Sequence, residues 1–426
     1  MNVTLHSSSL RGTIRAPRSK SAMQRACAAA LLFQRETRLL LPGNSADDQA
    51  ALSIIQELGA SVTRLEDGSL LIKSEGVHLA TPTHLHCGES GLSMRMFTPI
   101  AALATVPITI TGEGTLMSRP MNFFDEVLPQ LQISVSSNNG KLPLRVCGPL
   151  HPKNLEVDGS LSSQFLTGLL MAFAAANAEG VTLKVKQLVS KPYIDLTLQI
   201  MEAFGASVPV NHRYQEFYFQ KRELSDRSAP LEFTVEGDWS GASFLLVASA
   251  IAGPFTVQGL SMQSLQADRK ILEVLSAAKI SYEIAEDSIT VLHSEPLSFE
   301  FDAFDCPDLF PPIVALAAMA NGTSRIKGLS RLKHKESDRG LTLREEFQKM
   351  GANIYEEDDY LCVKGSSQLM GATVSSRGDH RIAMALAIAS LRAEGTTFIQ
   401  DAQAINKSYP DFFSDLAKLG ASVSLT

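Results

Sequence analysis

Cationic, hydroxyl and acidic side chains cluster in this chain where apolar segments begin, and such clusters can hold anions. The stretch Pro17-Arg18-Ser19-Lys20-Ser21-Ala22-Met23-Gln24-Arg25 runs into an apolar helix expected over 26–33. Donors at a helix start, where the dipole is positive, suit a phosphate or a carboxylate. Alone, the stretch reads first as an ordinary N-cap with solvated cations, but the pattern recurs. Other expected helix starts carry Glu89 and Arg95, Ser162, Ser163 and Gln164, Ser190, Lys191 and Tyr193, and Asp379, His380 and Arg381.

Ser and Asp at such positions are usually caps, contributing about 1 kcal/mol each, and Asp47, Asp48, Asp238, Asp268, Asp338 and Asp379 read that way. A cation there opposes the dipole. Eight do so on this reading: Arg25, Arg95, Arg119, Lys191, Lys335, Arg339, Arg381 and Lys407. That number implies helix starts facing a shared cleft that holds a multiply charged anion. Glu336 beside Lys335 and Arg339, with Asp308 opening an apolar helix, adds carboxylates suited to proton transfer. Glu336 reads equally as half of a surface salt bridge, which is worth little. His380 reads as a hydrogen-bonded core imidazole.

The elements that position these residues repeat. An amphipathic helix, a stop and a strand recur as Leu58-Gly59-Ala60-Ser61-Val62, Leu131-Gln132-Ile133-Ser134-Val135, Phe204-Gly205-Ala206-Ser207-Val208, Ala278-Lys279-Ile280-Ser281-Tyr282, Met350-Gly351-Ala352-Asn353-Ile354 and Leu419-Gly420-Ala421-Ser422-Val423. Their third residues fall at 60, 133, 206, 280, 352 and 421, so the steps are 73, 73, 74, 72 and 69. Gly just past a helix supplies a left-handed cap cheaply. Each unit also holds a helix apolar nearly all round, over 91–103, 163–176, 241–252, 312–320 and 381–391, and such a helix must be buried. Each unit therefore reads as strand, helix, strand, helix and two strands. Six units split as three and three, with a chain crossing expected at Gln220–Ser228. One opening strand over 3–15 is expected to pair with the last unit.

A chain of 426 residues exceeds one ordinary core. Its net charge of -7 argues against general nucleic-acid affinity. Five scattered cysteines with no Cys-x-x-Cys pair suggest free thiols and no metal site. No Gly-x-x-x-x-Gly-Lys-Ser/Thr loop occurs, and no Gly-x-Gly-x-x-Gly follows a strand, so no nucleotide cofactor is expected. The first residues lack the cationic and apolar regions of a signal peptide, and apolar runs of about 14 residues are too short to span a bilayer. A cytoplasmic monomer is expected.

Taken together, the motifs resemble the 5-enolpyruvylshikimate-3-phosphate (EPSP) synthase family. They are Ser19-Lys20-Ser21 with Arg25, 158–165 (Asp-Gly-Ser-Leu-Ser-Ser-Gln-Phe), 188–195 (Leu-Val-Ser-Lys-Pro-Tyr-Ile-Asp), Glu236-Gly237-Asp238, Lys335-Glu336-Ser337-Asp338-Arg339, Asp379-His380-Arg381 and Lys407 with Pro410-Asp411. The resemblance implies an inside-out α/β barrel of two domains, each of three βαβαββ repeats, with the active site in the interdomain cleft. One domain would span 19–228 and bind shikimate 3-phosphate; the other would combine 1–18 with 229–426. Shikimate 3-phosphate and phosphoenolpyruvate would be the substrates, with no cofactor, metal, nucleic-acid or membrane partner. Lys20, Arg119, Arg339, Arg381 and Lys407 would hold phosphoenolpyruvate, with Gly91 and Gln164 close by. Ser21, Arg25, Ser162, Ser163, Ser190, Tyr193, Asp308 and Lys335 would hold shikimate 3-phosphate. Asp308 would take the hydroxyl proton, Glu336 would exchange a proton with the methylene carbon, and Lys20 would assist phosphate departure.

Some positions depart from the family pattern. Arg18 stands for a usual Gly and is expected to face solvent; Glu89 replaces a common Asn, Leu92 a common Thr, and Arg331 a frequent Asn. The related transferases acting on UDP-N-acetylglucosamine usually carry a loop Cys or Asp five residues before the Arg matching Arg119. Here that position is Gly114, which argues against that substrate.

Overall fold

The computed structural model describes residues 1–221, 229–333, 335–366 and 368–426. Among the described residues, six four-stranded sheets share one plan. In one of them Thr83–His86 runs parallel to Ile108–Thr111, which pairs antiparallel with Leu144–Cys147, itself antiparallel to Ser134–Ser137. The parallel step needs a crossover helix, supplied by the fully buried Gly91–Ala101, whereas the last two strands close as a hairpin. Alternation of buried and less buried residues along Ile108–Thr111 follows from the two-residue period of a strand.

The first helices of the other repeats are buried nearly all round as well. Trp239–Ala252 and His380–Ser390 have every residue buried. The second helix of a repeat is one-sided: Ala46–Glu57 buries Asp47, Asp48, Ala51, Leu52, Ile54 and Ile55, a helical stripe. All six helix stops adopt left-handed backbone: Gly59, Gly205, Gly351 and Gly420, and also Gln132 (φ 64°) and Lys279 (φ 62°). The two degenerate copies therefore keep the geometry without the glycine.

The chain forms two compact units, Met1–Ser19 with Glu236–Thr426, and Lys20–Val235. Three sheets belong to each. The expected boundary at 228/229 moves to 235/236, because Leu231–Thr234 pairs in parallel with Glu36–Leu40 and completes that sheet. The expected boundary at 18/19 moves by one residue. Residues 222–228 of the expected crossing lie outside the described residues. The single opening strand is in fact two. Val3–His6 pairs with Thr396–Gln400 and Ser422–Leu425, while Gly12–Arg15 pairs with Phe255–Gln258 in another sheet. Where the chain leaves and re-enters the first unit, Ser19 N donates to Glu236 O at 2.9 Å and Asp238 N to Pro17 O at 2.8 Å. Arg18, bridged to Gly237 there, is half-buried rather than solvent-facing, and burial with the nearby Arg15 lowers its pKa.

Candidate active site

In the Lys20–Val235 unit, Lys20 opens the Lys20–Phe33 helix and its Nζ lies 2.9 Å from Asp47 Oδ2. One turn further in, Arg25 is buried. Its NH1 donates to Ser21 O at 2.8 Å, its Nε to Thr197 Oγ1 at 2.9 Å, and its guanidinium lies 5.9 Å from the centre of the Tyr193 ring. Burial lowers its pKa to about 10, which leaves it cationic at neutral pH. Arg25 thus touches the Ser21 carbonyl and the Tyr193 ring.

A second group surrounds the start of the Gly91–Ala101 helix. A Cβ added at Gly91 would meet Arg119 NH1 at 2.6 Å and Arg95 NH1 at 3.2 Å. Arg95 NH1 donates to Gln164 Oε1 at 2.9 Å. Ser162 caps the Ser163–Ala175 helix by accepting from Gln164 N at 3.2 Å, and Ser163 is buried at its first position. Gln24 Oε1, on the Lys20–Phe33 helix, accepts from Ser90 Oγ at 3.2 Å and Ser93 Oγ at 2.9 Å, tying the two helix starts together. Ser190, just before the Pro192–Ala203 helix, is buried with φ 53°.

In the unit formed by Met1–Ser19 and Glu236–Thr426, Asp308 is the hub. Its Oδ1 lies 3.2 Å from Lys335 Nζ and 2.8 Å from Arg339 NH1, and its Oδ2 lies 3.2 Å from Arg381 NH2. Burial pushes the Asp308 carboxyl up, but Arg381, Lys335 and Arg339 outweigh it and hold the group well below the usual carboxylate range. Glu336 contacts Arg339 NH2. Burial lowers the Lys335 pKa, against the pull of Asp308. Asp379 caps His380–Ser390 by accepting from Arg381 N at 2.9 Å while also holding Arg339. Lys407 Nζ donates to Gly378 O at 2.7 Å. His380 is buried, with Nδ1 4.0 Å from Asp379 Oδ1.

Eight cations at helix starts are too many. Only Arg339, Arg381 and Lys191 sit at one. Arg25 and Arg95 lie one turn inside, and Lys335 precedes the Arg339–Lys349 helix by four residues. Arg119 follows the 3-10 turn Gly114–Ser118, and Lys407 ends the 3-10 turn Ala402–Lys407. In both places a short 3-10 turn comes before the expected helix, which begins a few residues later at Asn122 and Phe412, and the cation is held by the Thr115 hydroxyl or the Gly378 carbonyl. Asp308 likewise lies in the turn Pro307–Leu309. Among the aspartates read as caps, Asp238, Asp338 and Asp379 are caps, whereas Asp47 pairs with Lys20 and Ser45 caps its helix.

Sequence reasoning missed Glu346. Its carboxylate has no exposed surface and accepts from Lys349 Nζ at 2.7 Å, Ser375 N at 2.9 Å, and Arg377 Nε and NH2 at 3.0 and 2.8 Å. It sits seven residues after Arg339, two turns along the same helix face, and so fixes the loop that carries Gly378 and Asp379. An acidic residue on that face was the available signal.

Six sheets of one repeated plan give this chain the fold of the enolpyruvyl transferases. The fold matches the solved structure of EPSP synthase from Acinetobacter baumannii at a TM-score of 0.81 and 22% identity, covering 100% of both chains. It also matches the enolpyruvyl transferase NikO from Streptomyces tendae at 0.76 and 16%, covering 100% of this chain and 98% of that one. The family model for EPSP synthase (3-phosphoshikimate 1-carboxyvinyltransferase) matches residues 5–416. A 3-phosphoshikimate 1-carboxyvinyltransferase of Halobacterium salinarum is 37% identical over 99% of each chain. The chain belongs to the EPSP synthase family.

Proposed function

We propose that this enzyme transfers the carboxyvinyl group of phosphoenolpyruvate to the 5-hydroxyl of shikimate 3-phosphate, and that residues of all three groups act on that one substrate pair. Lys20, Arg119, Arg339, Arg381 and Lys407 hold phosphoenolpyruvate, near Gly91 and Gln164. Ser21, Arg25, Ser162, Ser163, Ser190, Tyr193, Asp308 and Lys335 hold shikimate 3-phosphate. The observation that carries the reading is Asp308, one carboxylate held by Lys335, Arg339 and Arg381 together.

On this reading the transfer takes two steps. The 5-hydroxyl oxygen bonds to C2 of phosphoenolpyruvate while Asp308 takes its proton. Glu336 delivers a proton to the methylene carbon, giving a tetrahedral intermediate. In the second step Glu336 removes a proton from that carbon, the double bond re-forms, and the C2–O bond to phosphate breaks with help from Lys20. Unliganded, Asp308 is a weak base, since three cations stabilise its charge. Anionic substrates would compete for those cations, raise its proton affinity and prepare it to accept the hydroxyl proton.

We read the enzyme as a cytoplasmic monomer that works without cofactor, nucleic acid or membrane. The net charge of -7 weighs against general nucleic-acid affinity, and among the described residues no helix is long and apolar enough to cross a membrane. Phosphate release from a mixture of phosphoenolpyruvate, shikimate 3-phosphate and purified protein tests the transfer. A folded protein that binds both substrates and releases nothing would overturn it. Glu336→Gln should lower kcat by about 10²–10⁴-fold, the usual contribution of a general acid–base; full turnover would remove only the Glu336 assignment.

A further inference from the structure

We propose that Glu89 is a positioning residue for Arg119, acting through the hydroxyl of Thr115. Glu89 stands just before the Gly91–Ala101 helix. Its Oε2 accepts from Thr115 N at 2.9 Å and from Thr115 Oγ1 at 3.1 Å. A hydroxyl has one proton, and this geometry directs it to the carboxylate. The lone pairs of Thr115 Oγ1 are then turned to Arg119 NH2, 3.1 Å away. The chain of donors has one direction: Arg119 gives to Thr115, and Thr115 gives to Glu89. A charged terminal acceptor polarises the hydroxyl and strengthens its hold on the arginine.

The loop is shaped around the carboxylate. Gly114 sits at φ 53°, and a Cβ there would lie 2.3 Å from Glu89 Oε2 and 2.4 Å from its carboxyl carbon. The Glu89 side chain therefore occupies the space that a side chain at 114 would take. On its other edge, Arg119 NH1 packs over the bare backbone of Gly91. Thr115 and Gly91 together bracket the guanidinium of Arg119, a residue that is only 6% exposed. An arginine held in this way loses little freedom when an anion arrives, so the bracket contributes to affinity by pre-organisation.

This inference rests on the assignment of Arg119 to phosphoenolpyruvate. Thr115→Val keeps the shape and removes the relay. It should raise KM for phosphoenolpyruvate about tenfold, with kcat and the KM for shikimate 3-phosphate little changed, as expected for lost uniform binding. Glu89→Gln, which keeps an oxygen acceptor but loses the charge, should raise the same KM about threefold. Thr115→Ser restores the hydroxyl and should recover most of the Val loss. Arg119→Lys serves as the reference. If it raises KM for phosphoenolpyruvate while Thr115→Val does not, the relay is overturned and the Arg119 assignment stands. If Arg119→Lys leaves that KM unchanged, the Arg119 assignment itself fails. Equal rises in both KM values, or loss of the cooperative thermal transition in Thr115→Val, would make Thr115 a general structural residue and overturn positioning.

Discussion

Arg339 and Asp379 form a two-point ion pair in which neither side chain has exposed surface: Nε lies 2.9 Å from Oδ2 and NH2 lies 3.3 Å from Oδ1. Removing one partner of a buried pair costs about 3–5 kcal/mol, because the other charge stays buried. Asp379→Asn keeps an oxygen to cap Arg381 N, and Arg339 retains Asp308 and Glu336. The low end, about 3 kcal/mol, is therefore expected from urea unfolding, with a raised KM for phosphoenolpyruvate. An unchanged midpoint would show that the pair adds no net stability.

The depressed Asp308 carboxyl predicts the direction of a pH effect. A group whose folded pKa lies below its unfolded value, about 4 for Asp, contributes fully above that value and loses its contribution as pH falls through the folded pKa. The stability gap between the wild type and Asp308→Asn should hold from neutral pH to about 5 and shrink below about 4. Thermal melts across that range measure it. A gap that widens on acidification would contradict the reading.

Gly91→Ala should separate binding from folding. The added methyl meets the ends of two flexible guanidinium groups, not backbone, and Ala is the better helix former by about 1 kcal/mol. Thermal stability should hold or rise, while KM for phosphoenolpyruvate rises as Arg119 is displaced. A large loss of stability would mean that the arginines cannot move aside.

Gln132 and Lys279 hold the left-handed stop that glycine holds in the other four repeats. A side chain there costs roughly 1–2 kcal/mol relative to glycine in the folded state, offset in part by the greater freedom of glycine when unfolded. Gln132→Gly and Lys279→Gly should each stabilise by about 0.5–1 kcal/mol in chemical denaturation, independently of one another. Destabilisation would mean that the side chains make contacts worth more than the strain.

The repeat was legible because its punctuation is local: four glycines, two degenerate stops and an even step mark every helix end. Burial of the crossover helices was legible from their lack of a polar face. Unit boundaries were not, since Leu231–Thr234 is assigned by pairing with a strand nearly two hundred residues earlier. Nor were the partners of the site cations. Lys20 meets Asp47 across 27 residues and Arg339 meets Asp379 across 40, separations that no helical or strand period encodes. Residue types at the site could be read from motifs, but the 3-10 turns that carry Asp308 and precede Arg119 could not.

The hydrogen-bonded crossing segments have a genetic consequence. All three sheets of Lys20–Val235 are built from its own strands, and so are all three of the remainder. Ser19 and Glu236 are already hydrogen-bonded neighbours. Splicing codon 19 to codon 236 would leave no sheet short of a strand, and the excised segment could be encoded separately. Such a chain is what insertion of one gene copy into its own duplicate would leave behind, with the join recorded as two adjacent backbone segments.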